Sequence, residues 1–363
     1  MKSFNEVFED KTKYGTKIKT SEYCEMGAHL IIDQGQEQVA GYTDIEEGVF
    51  EEVPVIIFGD HTRVIKYVDK PFFLGADGVK VLRSKFKNAN YKYLYYALKN
   101  ARIPNTGYNR HFKWLKEVQI EYPDYRRQEN VVKILDKVSD LIETRQHEIK
   151  RLDDLIKARF VELFGNPVLN EKGWESNLLA QLTLKIGSGA TPKGGREAYQ
   201  EEGIALIRSM NVYNGKFEYK DLAHISDEQA AKLDNVIIKE SDVLLNITGA
   251  SVARSCVVPN QILPARVNQH VCIIRCKECI EPIFLNRLLI DDNYQKLLWE
   301  IAGSGATREA ITKQQVERLK IILPPIELQN QFADFVRQVD KSKLMFQKLH
   351  QKLNILQQKA GDI

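Results

Sequence analysis

Cys272, Cys276 and Cys279 stand at a spacing that can hold an iron–sulfur cluster through converging thiolates. Convergence needs a loop, and Val271-Cys272-Ile273-Ile274-Arg275 alternates like a buried strand running straight into Cys276. These cysteines read as small apolar residues with an exposed flank. Gly189-Ala190-Thr191-Pro192-Lys193-Gly194 has the glycine spacing of a phosphate loop. Gly195-Arg196 stands where such a loop needs Lys and Ser/Thr, and Pro192 removes a backbone donor. Asn166-Pro167-Val168-Leu169 approaches the Asn-Pro-Pro-aromatic loop that holds a flipped base, but Leu offers no ring to stack. Pro123-Asp124 with Glu148 and Lys150 supplies the residue types of a nuclease metal site. All lie along one helical stretch, roughly 36 Å apart at ~1.5 Å per residue, so they cannot share an ion. The seven histidines are scattered, with none at metal-ligand spacing from another. No catalytic residue and no metal site is expected.

What remains is a set of polar, basic and glycine-containing loops. In the first half these are Lys17, Lys19, Gln34, Gln36, His61, Arg63 and Lys66. In the second half they are Ser188, Thr191, Lys193, Arg208, Ser209, Asn211, Arg254, Arg266, Asn268, Gln269 and His270. Arg, Asn, Gln and Ser/Thr are the residue types that read base edges, and Lys serves phosphates. A surface Arg is ordinarily just solvated, so these are candidate DNA contacts.

The elements that carry these loops follow from hydrophobic period and punctuation. In residues 1–122, Leu30–Ile32, Val53–Phe58, Val64–Val68 and Val79–Leu82 read as short strands between glycines, and Tyr91–Lys99 as a helix. In residues 166–323, Ala205–Ser209, Val243–Ile247, Ser255–Val258 and Val271–Arg275 read as strands, with a helix at Phe284–Ile290. Between them, residues 123–165 form a long helix. Val131, Leu135, Val138, Ile142, Arg145, Ile149, Leu152 and Ile156 are stepped 4, 3, 4, 3, 4, 3, 4, the seam of a coiled coil. A helix of about 40 residues is a rod of roughly 60 Å. Its partner is the last stretch, 324–363, where Phe335, Val339, Ser342, Phe346, Leu349, Leu353 and Leu356 are stepped 4, 3, 4, 3, 4, 3. Arg145 and Ser342 interrupt the two seams. The chain is a tandem repeat: Pro123 recurs as Pro324, and the same offset of 201 pairs Leu115 with Val316, Ile120 with Ile321, and Gln128 with Gln329. The expected fold is α/β: two globular α/β domains joined by two long antiparallel coiled-coil helices, a pseudo-twofold repeat.

Composition sets outer bounds. A net charge of +3 is weak as a nucleic-acid signature, so local patches must carry any such role. No apolar run approaches the ~20 residues that span a bilayer, and the first residues lack the apolar core of a signal peptide. With five cysteines, an odd number, reduced thiols in the cytoplasm are the expectation.

The motifs, in their order, resemble those of the DNA-specificity subunits of type I restriction–modification enzymes. They are YGTKIKTSEY at Tyr14–Tyr23, IIDQGQEQVAGY at Ile31–Tyr42, and the stretch VPVIIFGDHTRVIKYVDKPFFLGADGVKVL at Val53–Leu82. FVELFGNP at Phe160–Pro167, GSGATP at Gly187–Pro192, IRSMNV at Ile207–Val212 and LPPIELQNQF at Leu323–Phe332 complete the set. The resemblance spans essentially the whole chain. It implies a non-catalytic subunit whose two target-recognition domains each read one half of a bipartite site on double-stranded DNA. It implies two methyltransferase subunits and restriction subunits as partners, which use S-adenosylmethionine, ATP and Mg, with no cofactor on this chain and no membrane association. The first domain lacks the opening at Trp174–Pro192, which suggests two domains of different subtype. Two other readings fit parts of the pattern: a coiled-coil scaffold with two protein-binding domains, and a methyltransferase or nuclease fused to recognition domains.

Overall fold

Val55-Ile56-Ile57-Phe58 is too short for a stable helix and apolar throughout, so it forms a strand that must be covered on both faces. It lies within the strand Val55–Gly59, every residue of which is buried. The computed structural model describes residues 1–75, 77–107, 109–191, 194–303 and 309–361, apart from the side chains of 196, 198 and 356–361. The chain divides into two compact units, residues 1–147 with 347–363, and residues 148–346. Expected boundaries at 122/123, 165/166 and 323/324 separate globular parts from helices. The compact units divide within both long helices, Tyr125–Phe164 and Ile326–Gly361.

In the first unit, Phe8–Asp10, Val79–Ser84, Val55–Gly59 and Ile65–Val68 form an antiparallel four-stranded sheet in that order. A second sheet sets His29–Ile32 between Gly41–Thr43, antiparallel, and Phe72–Leu74, parallel. Lys2–Ser3 pairs with Gln119–Ile120. The helix Tyr91–Lys99 begins where the Asn90 side chain accepts a hydrogen bond from Tyr93 N, and it buries Leu94 and Leu98 against Ile56, Phe58 and Leu82.

The second unit repeats this topology strand for strand. Thr183–Ser188, Val271–Cys276, Val243–Asn246 and Ser255–Val257 form the four-stranded sheet. Ile204–Ile207 lies between Ala223–Ile225, antiparallel, and Ala265–Val267, parallel. Ser176–Leu178 pairs with Lys320–Ile322. Sheet order and strand direction agree between the two units for every strand of the first. Insertions set the second unit apart, among them the hairpin Val212–Tyr213/Lys216–Phe217, the helix Asp227–Ala231 and the helix Asp292–Gly303. Trp174 has a local task, since its Nε1 donates to Phe164 O at the end of the first long helix. The repeat extends to side chains: Gln128 donates to Pro123 O and Gln329 to Pro324 O, each glutamine buried at the start of its helix.

Along the first long helix Val131, Leu135, Val138, Ile142, Arg145, Ile149, Leu152 and Ile156 are all buried or half-buried, while Ile134 and Leu141 between them are exposed. In the second unit the helices run antiparallel. Phe160 lies 5.6 Å from Phe332, and Asp153 pairs with Lys343 at 2.5 Å. The second helix departs from its expected seam. Its covered positions are Phe332, Val336, Val339, Lys343, Phe346, His350 and Leu353, again stepped 4, 3, 4, 3, 4, 3. Ser342 and Leu349 are exposed, and Phe335 is half-buried at the edge of the core. Leu356 lies outside the described side chains. The reason is electrostatic: Lys343 is admitted to the seam because Asp153 faces it, and Asp340 adds a second carboxylate at 3.6 Å.

Phe332→Ala should lower stability by about 3–5 kcal/mol, as deletion of a buried ring does. Leu349→Ala should cost about 0.5 kcal/mol or less. Urea unfolding followed by circular dichroism compares the two, and equal losses would contradict this register.

Candidate nucleic-acid interface

Parallel strands point their carboxyl ends the same way, so the loops that leave them gather at one edge, where open sheets present ligand sites. Both units build such an edge. In the first, Gly75 N donates to Ile32 O at 2.8 Å. In the second, Asn268 N donates to Ile207 O at 3.0 Å. These equivalent bonds tie together the loops that hold Gln34 and Gln36 in the first unit, and Arg208, Ser209, Asn211, Asn268, Gln269 and His270 in the second.

In the first unit the hub is Gln34. Its Nε2 donates to Asp77 O at 2.8 Å, its Oε1 accepts from His61 N at 3.1 Å, and its carbonyl accepts from Thr62 Oγ1 at 2.6 Å. The glycines around it are small because they must be: a Cβ on Gly78 would sit 2.6 Å from the Gln34 amide, and one on Gly59 would sit 2.2 Å from Thr62 Oγ1. Lys17 is exposed and paired with Asp77 at 2.6 Å. Lys19 and Gln36 are exposed. Arg63 takes a left-handed backbone, φ +61°, and donates to Ile103 O at 3.3 Å. Lys66 differs from the rest. It is 2 % exposed and its Nζ donates to Glu37 O and to Asp33, so it braces the loop from beneath and presents no cation to solvent. Burial holds its ammonium below the usual lysine range.

In the second unit a polar chain crosses the edge. Thr191 Oγ1 donates to Gln269 Oε1, Gln269 Nε2 meets His270 Nε2 at 3.2 Å, and His270 Nδ1 meets Thr248 Oγ1 at 2.6 Å. Gly189 N donates to Asn268 O at 3.1 Å, and a Cβ on Gly189 would lie 1.7 Å from Val267 O. Ser188 and Ser209 are half-buried, and Ser209 O accepts from Asn246 Nδ2 at 2.9 Å. Arg208 donates to Asp221 O and lies 5.2 Å from the Tyr199 ring centroid. Arg254 lies 4.5 Å from that of Tyr213. Three candidates are interior: Asn211 caps its own turn at Arg208 N, Asn268 accepts from His270 N, and Arg266 is 8 % exposed with Asp234 at 2.8 Å. Their side chains hold the loops and leave the reading surface to their neighbours. Lys193 lies outside the described residues. Thr248, Tyr199 and Tyr213 were absent from the candidates, since nothing in a lone Thr or Tyr marks it before the fold brings it to His270 or to an arginine.

Burial pushes the thiols of Cys272 and Cys276 up to about 12, so they stay protonated in their strand. Among the described residues no group of three or more His, Cys, Asp or Glu converges as a metal site, and no helix is long and apolar enough to cross a membrane.

Gly189→Ala must move the 187–191 loop off Val267 O and should lower the melting temperature by a few degrees, a loss of about 1–3 kcal/mol. Gly187→Ala meets nothing within 4 Å and should leave melting unchanged. Identical melting of the two variants would show that the loop is not clamped.

A family model described as the type I restriction modification DNA specificity domain matches the chain twice, over residues 1–153 and 171–357. A putative type I restriction enzyme MjaX specificity subunit of Methanocaldococcus jannaschii is 24% identical over 314 residues, covering 77% of this chain and 68% of that protein. The EcoR124I/EcoR124II specificity subunit of Escherichia coli is 21% identical over 350 residues, covering 92% and 84%. Among solved structures, the S subunit from M. genitalium superposes with a TM-score of 0.61 at 16% identity, covering 99% of this chain and 94% of that one. A chain from work on complex assembly and conformational transition of the type I R-M system gives 0.55 at 18% identity, covering 99% and 95%. With two matches that together take in almost the whole sequence, the chain belongs to the type I restriction–modification DNA specificity family.

Proposed function

We propose that this chain binds a bipartite duplex target, one half-site per unit, and carries that specificity into a complex with methyltransferase and restriction subunits. The repetition carries the reading. Sheet order, strand direction and helix-start glutamines are shared by the two units, whereas the loops at the parallel-strand edge differ in length and in almost every polar residue. A common frame with divergent loops suits the recognition of two unlike sequences. Each long helix contributes residues to both units. Specificity subunits do no chemistry. S-adenosylmethionine for methyl transfer, and ATP with Mg for restriction, would act in the partner subunits, in the cytoplasm where the target DNA lies.

Affinity in such a complex comes chiefly from phosphate contacts and falls steeply with salt. Lys19 is the candidate exposed lysine of the first unit with no side-chain acceptor among the described residues. Lys19→Ala in the assembled complex should weaken binding to all duplexes alike and reduce the slope of log K against log salt by about 0.9. The bipartite reading is tested by mapping methylated adenines in DNA modified by the complex. A target of two separated short sequences is expected. A single uninterrupted motif, or binding insensitive to salt, would contradict it.

A further inference from the structure

Within the second unit Arg254 is built differently from Arg208, Arg266 and Arg275. Arg208 gives hydrogen bonds to a backbone carbonyl, Arg266 is buried with Asp234, and Arg275 is held by both oxygens of Asp242. No carbonyl or carboxylate among the described residues takes the guanidinium hydrogens of Arg254. Its cation lies 4.5 Å from the centroid of Tyr213, a half-exposed pair that stiffens a long side chain without consuming a donor.

The backbone beneath it is fixed on both sides. Ala253, which is buried, has φ +71°, a conformation that costs an L-residue energy and persists only where the surroundings hold it. Ala253 N donates to Asn246 O at 2.9 Å, and Asn246 N donates to Arg254 O at 2.8 Å. Gln295 Nε2, from the inserted helix Asp292–Gly303, donates to Ala253 O at 2.9 Å. Asn214 Oδ1, from the inserted hairpin, accepts from Ser255 N at 3.2 Å, and Gly215 N donates to Ser255 O at 2.8 Å. Both insertions thus grip the residues flanking Arg254, and the hairpin also supplies Tyr213.

The first unit has the same turn without the same side chain. Arg63, φ +61°, donates through its N to Gly59 O at 2.7 Å, and Gly59 N donates to Val64 O at 2.8 Å. Those bonds match the pair at Ala253 and Arg254, so Val64 stands where Arg254 stands. The position is a prearranged donor fork in one unit and an aliphatic residue in the other.

We infer that Arg254, held over Tyr213, is a specificity-determining residue that reads a guanine in the half-site of the second unit through paired hydrogen bonds to O6 and N7. Arg is the residue whose planar fork fits that edge, whereas a lysine can replace it at a phosphate. The inference rests on the DNA-specificity reading above.

The test uses the full chain assembled with its methyltransferase subunits, and duplexes carrying each of the four base pairs at every position of the mapped target. Arg254→Lys should lose roughly 5- to 150-fold of discrimination at one G·C position of one half-site, with the other half-site and the salt slope unchanged. Tyr213→Leu should lose part of the same discrimination, and Tyr213→Phe should keep it. If Arg254→Lys retains full discrimination, or if Arg254→Ala weakens all duplexes equally with a smaller salt slope, Arg254 is a phosphate contact and the inference fails. Unchanged selectivity in both Arg254 variants also overturns it. A wild-type complex that selects no two-part sequence would instead sink the DNA-specificity reading itself.

Discussion

Four phenylalanine rings hold the second unit together, and both long helices depend on them. Phe160 and Phe164 come from the first helix, Phe332 from the second, and Phe284 from the short helix that covers the four-stranded sheet. Phe164 meets Phe284 at 4.7 Å and Phe332 at 5.4 Å, both edge to face. Each ring buried from water is worth about 1.5–3 kcal/mol, and each ring pair adds roughly 0.5–1.5 kcal/mol. The exposed ion pair between Lys157 and Asp292 contributes at most about 1 kcal/mol by comparison. The helices are therefore anchored to the recognition fold by apolar packing. The charges at Asp153, Asp340, Lys343 and Arg287 select a register within a contact that packing already favours.

That anchoring gives the parallel-strand edge a fixed base, and its loops are then shaped by close approach. At Gly78 and Gly189 a methyl group would collide, in the first case with the hub side chain Gln34 and in the second with the backbone at Val267. Each edge consists of one set of residues that hold and another that face solvent. Lys66, Asn211, Asn268 and Arg266 are of the types that contact DNA, yet their burial makes them supports: Lys66, Asn211 and Arg266 donate to nearby carbonyls and carboxylates, and Asn268 accepts from His270 N. Chemical type alone cannot separate the two sets, because a buried lysine facing Asp33 and an exposed lysine are the same letter.

The same limit explains what was legible before the fold was known. Apolar runs gave four strands in each half and the helix Tyr91–Lys99 with its bounds, since burial selects them directly, but short strands such as Phe72–Leu74 and Ala265–Val267 carried too few residues to show a period. Heptad stepping gave the first seam, because its covered positions are apolar except at Arg145. The second seam slipped at alternate positions: Leu349 is apolar and exposed, while Lys343 is charged and covered, and only the facing Asp153 explains why. The repeat was visible where the two copies have equal length, around Gln128 and Gln329. It faded over the sheets, where insertions shift the numbering although every strand of the first unit has its counterpart in the second.

Those insertions show how a duplicated reader acquires a new preference without a new fold. The hairpin at Val212–Phe217 and the helix Asp292–Gly303 meet each other, Asn214 Nδ2 donating to Gln295 Oε1 at 3.4 Å. Together they close on the turn that both units share, and they act on the residue after its left-handed position, Arg254 in one copy and Val64 in the other. The turn forms without bracing in the first unit. Bracing a side chain with several donors lowers the entropy it loses on binding, so the added segments sharpen one contact while the sheets beneath remain common to both units.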